Sequence, residues 1–328
     1  MPNPVELVQV IRSGFLECSH DGSMVITRPD GSVGYALGEP DAPVFPRSSN
    51  KPFQATAMLE VGARLAGADL ALAAASHSGE PMHTERVASM LAAAGLTEDD
   101  LQCPPDFPLD EASRAAVIGR GEQPRRIYMN CSGKHTGMLT ACVSAGWDTV
   151  GYLSPGHRFQ QAVVAAITRL TGELPAASGI DGCGAPLVAV TLTGLARAFG
   201  RVNAGPAGSA ERTVADAMRA YPEMVAGTGR DDTLVMSAHP GVLMKGGAEG
   251  VHCAALPDGS AVALKISDGA ARARMPVMVA GLRALGLDSP TLDGLAVGRV
   301  LGGGRPVGTV QVAPLVAPTL YAELTNNY

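Results

Sequence analysis

The chain has 328 residues, 46% of them hydrophobic, enough for a sizeable core in one large domain or two small ones. Aromatics make up only 4%, the formal charge is −6 and there is no basic block. That argues against base stacking and against attraction to nucleic acid or an anionic membrane. No apolar run is long enough to span a bilayer, and MPNPVELVQVIRSG lacks the charged-then-apolar pattern of a signal peptide. Cys18, Cys103, Cys131, Cys142, Cys183 and Cys253 are scattered without a CxxC pair. This predicts free thiols in a reducing, cytoplasmic protein.

The first forty residues read as an antiparallel meander. VELVQVIR, MVITR and GYALG carry β-branched residues and alternation. His20-Asp21-Gly22-Ser23 and Pro29-Asp30-Gly31-Ser32 are the expected turns. Apolar residues at three- and four-residue spacing then predict helices in PFQATAMLEVGARLAG, TERVASMLAAAGL, GMLTACVSAGW and PGHRFQQAVVAAITRLTG. In the last, Ser154 is the expected cap, Pro155 the first helical residue, and Phe159, Val163, Ile167 and Leu170 the buried face. PLVAVTLTGLARAF and AERTVADAMRAYPEMVAG also read as helices, the second ended by Pro222. Strand signals return in GVLMKGG, HCAALP and SAVALKISDG, followed by the helix ARARMPVMVAGLRALG and a last strand in RPVGTVQVAP.

The order predicts an α/β fold of the α+β type. N- and C-terminal strands, about 1–45 and 240–328, share one antiparallel sheet, and residues of about 46–239 form a helical part. No repeat or low-complexity linker breaks the chain, so a single catalytic domain over 1–328 is expected. Such folds hold a site beside the sheet and helices.

Six stretches carry chemistry. In RSSNKPFQA, a lysine one turn after Ser48 lies on the same helix face and, once deprotonated, can take the hydroxyl proton. Taken alone, Ser48-x-x-Lys51 reads more readily as a capped helix start with a solvated lysine. Pro52 is tolerated only in a first turn, so the helix should begin near Ser49, with Ser48 at its open end. Ser76-His77-Ser78-Gly79-Glu80-Pro81 follows the buried-looking run DLALAAA and suits a cleft or an ordinary loop equally well. In Asn130-Cys131-Ser132-Gly133-Lys134-His135, Cys131 with Lys134 or His135 offers metal donors or a thiol activated at a helix start. A small buried cysteine is the plainer alternative. Glycines around Asp181 and Cys183 make a sharp loop, and Cys183 meeting Cys131 would supply part of a zinc site. Lys245-Gly246-Gly247 sets a lysine at a strand end with space beside the backbone. Arg230 in Gly227-Thr228-Gly229-Arg230 suits a two-pronged grip on a carboxylate, although such an arginine is more often structural.

An early S-x-x-K and a late lysine-glycine strand are similar to the arrangement of serine β-lactamases and penicillin-binding proteins. Here glycine replaces the threonine of K-T-G, and there is no Ser-Asp-Asn. A closer match comes from YALG, RSSNKPFQA, ASHSGE, NCSGKHTGML, DGCGAP, PEMVAGTGR and KGGAEG taken together and in order. With these the chain resembles the rhizobial-type, third-class L-asparaginases, also labelled asparaginase II. The resemblance implies a fold like that of serine β-lactamases and glutaminases. It implies hydrolysis of the side-chain amide of L-asparagine to aspartate and ammonia. It assigns two Ser–Lys tandems, Ser48 with Lys51 and Ser76 with Lys245. It assigns zinc to Cys131, Lys134 and Cys183, and Asp181 to the acidic position beside the site. Arg47, His77, His135, Asp181 and Arg230 are the expected substrate-binding residues, and a homodimer is implied. The departures are few: a compact middle section, a short tail, and Gly184 where some relatives carry asparagine. A glutaminase, a β-lactam-type hydrolase and a zinc-dependent amino-acid-binding protein without turnover are the rival readings.

Overall fold

The computed structural model describes residues 5–314 and residue 316. It opens with strands β1 (Val5–Arg12), β2 (Phe15–Thr27), β3 (Val33–Leu37) and β4 (Pro43–Val44). Helices α1 (Lys51–Glu60), α2 (Gly67–Ala73), α3 (Pro81–Ala93), α4 (Glu111–Gly119), α5 (Ser132–Ala145) and α6 (Arg158–Thr171) follow. Then come β5 (Ala177–Ile180), β6 (Pro186–Thr191), α7 (Leu192–Asn203), α8 (Ala210–Ala220), α9 (Pro222–Val225) and α10 (Asp231–Ala238). The chain continues with β7 (Leu243–Gly246), β8 (Val251–Ala255), β9 (Ala261–Ile266), α11 (Arg274–Ala284), α12 (Pro290–Ala296), β10 (Gly298–Gly302) and β11 (Arg305–Val312).

These elements form two compact units. The first draws on Met1–Ser49, Ala189–Ala204 and Ala238–Tyr328, and the second on Asn50–Val188 and Gly205–Ser237. The first unit carries the antiparallel sheet, in the order β10-β11-β1-β2-β9-β8-β7, with β3 paired to β2. N- and C-terminal strands thus share one sheet, as the chain order predicts. Leu7, Val8 and Val10 of β1 are buried, and β8 and β9 are buried almost throughout. Helices α7 and α11 cover the sheet. Asn203 at the end of α7 donates from Nδ2 to the carbonyls of Gly241 and Ala255, both at 2.9 Å.

The local reading needs three corrections. His20-Asp21-Gly22-Ser23 is not a turn but the interior of β2, paired with β1 on one side and, from Gly22 onward, with β9 on the other. Gly22 is there for close approach: a Cβ would lie 2.3 Å from the Lys265 carbonyl oxygen. The turn itself is Ser13-Gly14, whose φ values of 49° and 82° suit a tight hairpin. PLVAVT is strand β6, not helix; its β-branched run pairs at Val190 and Thr191 with β4. Thr191 then caps α7, accepting from the Gly194 N–H. The cap of α6 is His157, two residues beyond the expected Pro155 start, with Nδ1 accepting from the Phe159 N–H at 3.1 Å.

The second unit is helical. Pro52 sits in the first turn of α1, where its missing N–H costs nothing, and Lys51 through Met58 are all buried. The face Phe159, Val163, Ile167 and Leu170 of α6 is buried as its spacing predicts. Helix α5 is buried from Ser132 to Leu139, so its polar first turn is held inside the protein. Among the described residues, no helix is long and apolar enough to cross a membrane.

Candidate active site

Lys51 lies at the centre of a buried polar cluster in the second unit. It is 1% exposed, and its Nζ donates to the Ala75 carbonyl (2.5 Å), Ser76 Oγ (2.8 Å) and Cys131 Sγ (3.0 Å). Two loop segments meet here because their backbones are tied. The Ser76 N–H donates to the Val225 carbonyl (2.9 Å), and the His77 N–H to the Asn130 carbonyl (3.0 Å). Ser76 therefore stands beside the start of α5, where Cys131 and Lys134 sit.

The sulfur cluster adjoins Lys51. Lys134 Nζ is 2.9 Å from Cys183 Sγ, and all three residues, Cys131, Lys134 and Cys183, are buried. Cys131 is held well below the usual thiol pKa: the Cys183 thiol bonds to it, and the Lys51 and Lys134 charges outweigh burial. Cys183 is pushed up by that same contact and by burial. Burial alone would lower Lys134, but the neighbouring sulfurs raise it. Asp181 Oδ2 is 3.9 Å from Cys183 Sγ, and Asp181 Oδ1 accepts from the Gly182 N–H. The glycine-flanked loop thus presents Cys183 inward, as its sequence suggests. Cys103 is a separate buried thiol, raised to about 12 by burial.

His77 and His135 behave as buried, neutral rings. Nδ1 of His77 accepts from the Gly79 N–H (3.2 Å), which leaves the proton on Nε2 to reach Ser132 Oγ (2.9 Å). Ser132 Oγ in turn donates to the Ile127 carbonyl (2.9 Å). Burial holds His77 well below the usual histidine value. Both its nitrogens are used inside the protein, so it braces the Ser132 turn. His135 Nδ1 meets the Tyr152 hydroxyl at 2.7 Å, and the ring also interacts with the Cys183 thiol. Burial pushes His135 down to about 4, against the pull of Cys183.

The donor set suits a soft divalent ion. Two sulfurs and an amine share one buried point, with the His135 ring beside Cys183. Among the described residues, no three His, Cys, Asp or Glu side chains form a metal cluster, so any ion here depends on the lysine.

The first unit assembles Arg47, Ser48 and Lys245. Arg47 to Asn50 form a 3-10 turn that runs straight into α1, with Ser48 at intermediate exposure. Ser49 Oγ donates to the Lys245 carbonyl at 3.1 Å, so the turn is fastened to strand β7. A Cβ on Gly247 would lie 2.6 Å from the Pro46 carbonyl oxygen, which explains the glycine after Lys245-Gly246. Lys245 is 1% exposed and donates to the Gly246 carbonyl at 2.7 Å. Arg47 has a left-handed φ of 50°, as does Glu249 at 56°, and the two side chains pair at 3.6 Å. Such strain in non-glycine residues concentrates at functional sites.

Arg230 is exposed at the start of α10 and makes no side-chain bond among the described residues. The loop before it is held by Glu80, which sequence reasoning missed. Ser132, Asn130 and Tyr152 were missed too. ASHSGE and PEMVAGTGR flagged both halves of the Glu80 contact, but nothing local in the chain joins residues 148 positions apart.

Among solved structures, Mglu in its glutamate form matches at 14% identity and a TM-score of 0.41, over 76% of this chain and 56% of that one. Mglu in its native form matches at 15% identity and a TM-score of 0.44, over 84% and 68%. A β-lactamase from Mycobacterium bovis matches at 14% identity and a TM-score of 0.45, over 93% and 95%. This chain therefore spans little more than half the length of Mglu in its glutamate form. No curated protein matches the sequence. A family profile described as L-asparaginase II matches residues 8–312, a span that contains every motif above. The chain belongs to the L-asparaginase II family, a family of amidohydrolases.

Proposed function

We propose that the protein hydrolyses the side-chain amide of L-asparagine to L-aspartate and ammonia by serine–lysine chemistry. The observation that carries this reading is Lys51, a buried lysine whose Nζ lies 2.8 Å from the Ser76 hydroxyl. Ser48, three residues earlier at the open end of α1, is the nucleophile in this account. Lys51 in its neutral form takes the Ser48 proton as Oγ bonds to the amide carbon. The carbon–nitrogen bond breaks, Lys51 returns the proton, and ammonia leaves. Water then gives up a proton to Lys51 and attacks the ester, releasing aspartate and restoring Ser48. Ser76, bonded to Lys51, holds the amine in place, and Lys245 acts on protons or charge from β7. Backbone N–H groups at the start of α1 are candidates for the oxyanion site. Arg47, Asp181 and Arg230 are the proposed contacts to the substrate's charged groups.

A second assignment has its own observation. Ser76 is the serine that Lys51 hydrogen bonds, so attack by Ser76 is the alternative role.

Cys131, Lys134 and Cys183 would hold zinc. When bound, the ion supplies a fixed positive charge that orients substrate. The free state of all six cysteines agrees with a reducing cytoplasm. The homodimer rests on the family resemblance alone.

The test is ammonia release. L-asparagine is expected to exceed L-glutamine in kcat/KM by about tenfold or more, the usual worth of one methylene. Equal or better release from glutamine makes this chain a glutaminase. Binding of asparagine with no release at all favours the non-catalytic reading.

A further inference from the structure

Glu80 has no part in the chemistry above, yet its carboxylate accepts three hydrogen bonds in the segment after Ser76. Oε1 accepts from Ser78 Oγ (2.6 Å) and from the Thr228 N–H (2.8 Å), and Oε2 accepts from Thr228 Oγ1 (2.7 Å). Burial pushes the carboxyl up, but the Ser78 and Thr228 donors together hold it below its usual range. Gly227 is shaped to this contact. Its φ is 126°, and a Cβ there would lie 1.9 Å from Ser78 Oγ and 2.7 Å from Glu80 Oε1. Thr233 Oγ1 donates to the Gly227 carbonyl at 2.7 Å and closes the loop from its other side. At the near end, the Ser76 N–H donates to the Val225 carbonyl. The segments 76–80 and 225–228 are therefore fastened at both ends, and Arg230 follows two residues later with its guanidinium exposed.

We propose that Glu80 is a positioning residue: it locks the Gly227–Arg230 loop to the Ser76 segment and so fixes where Arg230 meets the carboxylate of an amino-acid substrate. This rests on the asparagine reading for the identity of the substrate. The clamp is a property of the protein and can be measured without turnover.

The experiment uses the full chain with Glu80→Ala, Thr228→Val and the double variant. Steady-state kinetics on L-asparagine are read beside hydrogen exchange of the same proteins. Losing charge-assisted hydrogen bonds should raise KM about tenfold in Glu80→Ala, with a smaller change in kcat. Thr228→Val should raise KM about threefold in the wild-type background and leave it unchanged on Glu80→Ala, because the two groups act as one unit. Exchange should quicken in Glu80→Ala over residues 225–230 and at the Ser76 amide, with β8 unchanged. An unchanged KM in Glu80→Ala overturns the proposal, as do losses that multiply in the double variant. Faster exchange in the loop with full protection kept at Ser76 also overturns it. If the wild type releases no ammonia, the asparagine reading fails, and the exchange data alone decide the clamp.

Discussion

Lys51→Met lowers kcat/KM for asparagine by about two to four orders of magnitude, the usual contribution of a positioned general base. Methionine fills a similar volume but cannot take a proton. The structural cost comes from the acceptors left behind. The Ala75 carbonyl, Ser76 Oγ and Cys131 Sγ each lose a donor, at about 1–3 kcal/mol for a buried group left unpaired. The unfolding midpoint should therefore fall, by about 2–4 °C for each kcal/mol lost. Thermal unfolding followed by circular dichroism checks the fold, and ammonia release checks the chemistry. A Lys51→Met protein that keeps full activity rules out Lys51 as the base. One that does not fold gives no information on catalysis, and Lys51→Arg then serves: it keeps the charge and the donors but cannot lose its proton.

The second large effect concerns the sulfur cluster. The purified wild-type chain should carry about one zinc ion, and Cys183→Ala should carry almost none. Lys134 Nζ lies 2.9 Å from Cys183 Sγ and Lys51 Nζ 3.0 Å from Cys131 Sγ, hydrogen bonds that hold the pocket together alongside any ion. Chelation should therefore lower the unfolding midpoint without unfolding the protein, and added zinc should restore it in the wild type only. Metal analysis and thermal unfolding read this independently of activity. A wild-type protein that purifies without zinc, and whose midpoint does not respond to added zinc, removes the metal from the account.

Much of this architecture is legible in the sequence. Alternation exposes β1, and the apolar runs expose β8 and β9, because those strands bury one face or both. The lysine-proline start of α1 follows from the backbone limits of proline alone. The misreadings have local causes. His20-Asp21-Gly22-Ser23 has turn composition, but Gly22 is chosen for contact with Lys265 across a sheet, which no local rule detects. PLVAVT has helix-like neighbours, and its strand character depends on pairing with β4, more than 140 residues earlier. The site divides in the same way. Motif residues such as Lys51, Ser76, Cys131, Lys134 and Cys183 are brought together in the second unit. The groups that brace them, Glu80 with Thr228, His77 with Ser132, and His135 with Tyr152, are pairings of ordinary polar residues. Only the folded chain reveals such partners.

The central claim is that a serine beside Lys51 forms an ester with the aspartyl group of asparagine. The most direct measurement is to quench the enzyme during turnover of L-asparagine and map the adduct by peptide mass spectrometry. The account predicts an aspartyl ester on Ser48. An ester on Ser76 would exchange the roles of the two serines, and steady turnover with no ester on either would contradict serine catalysis.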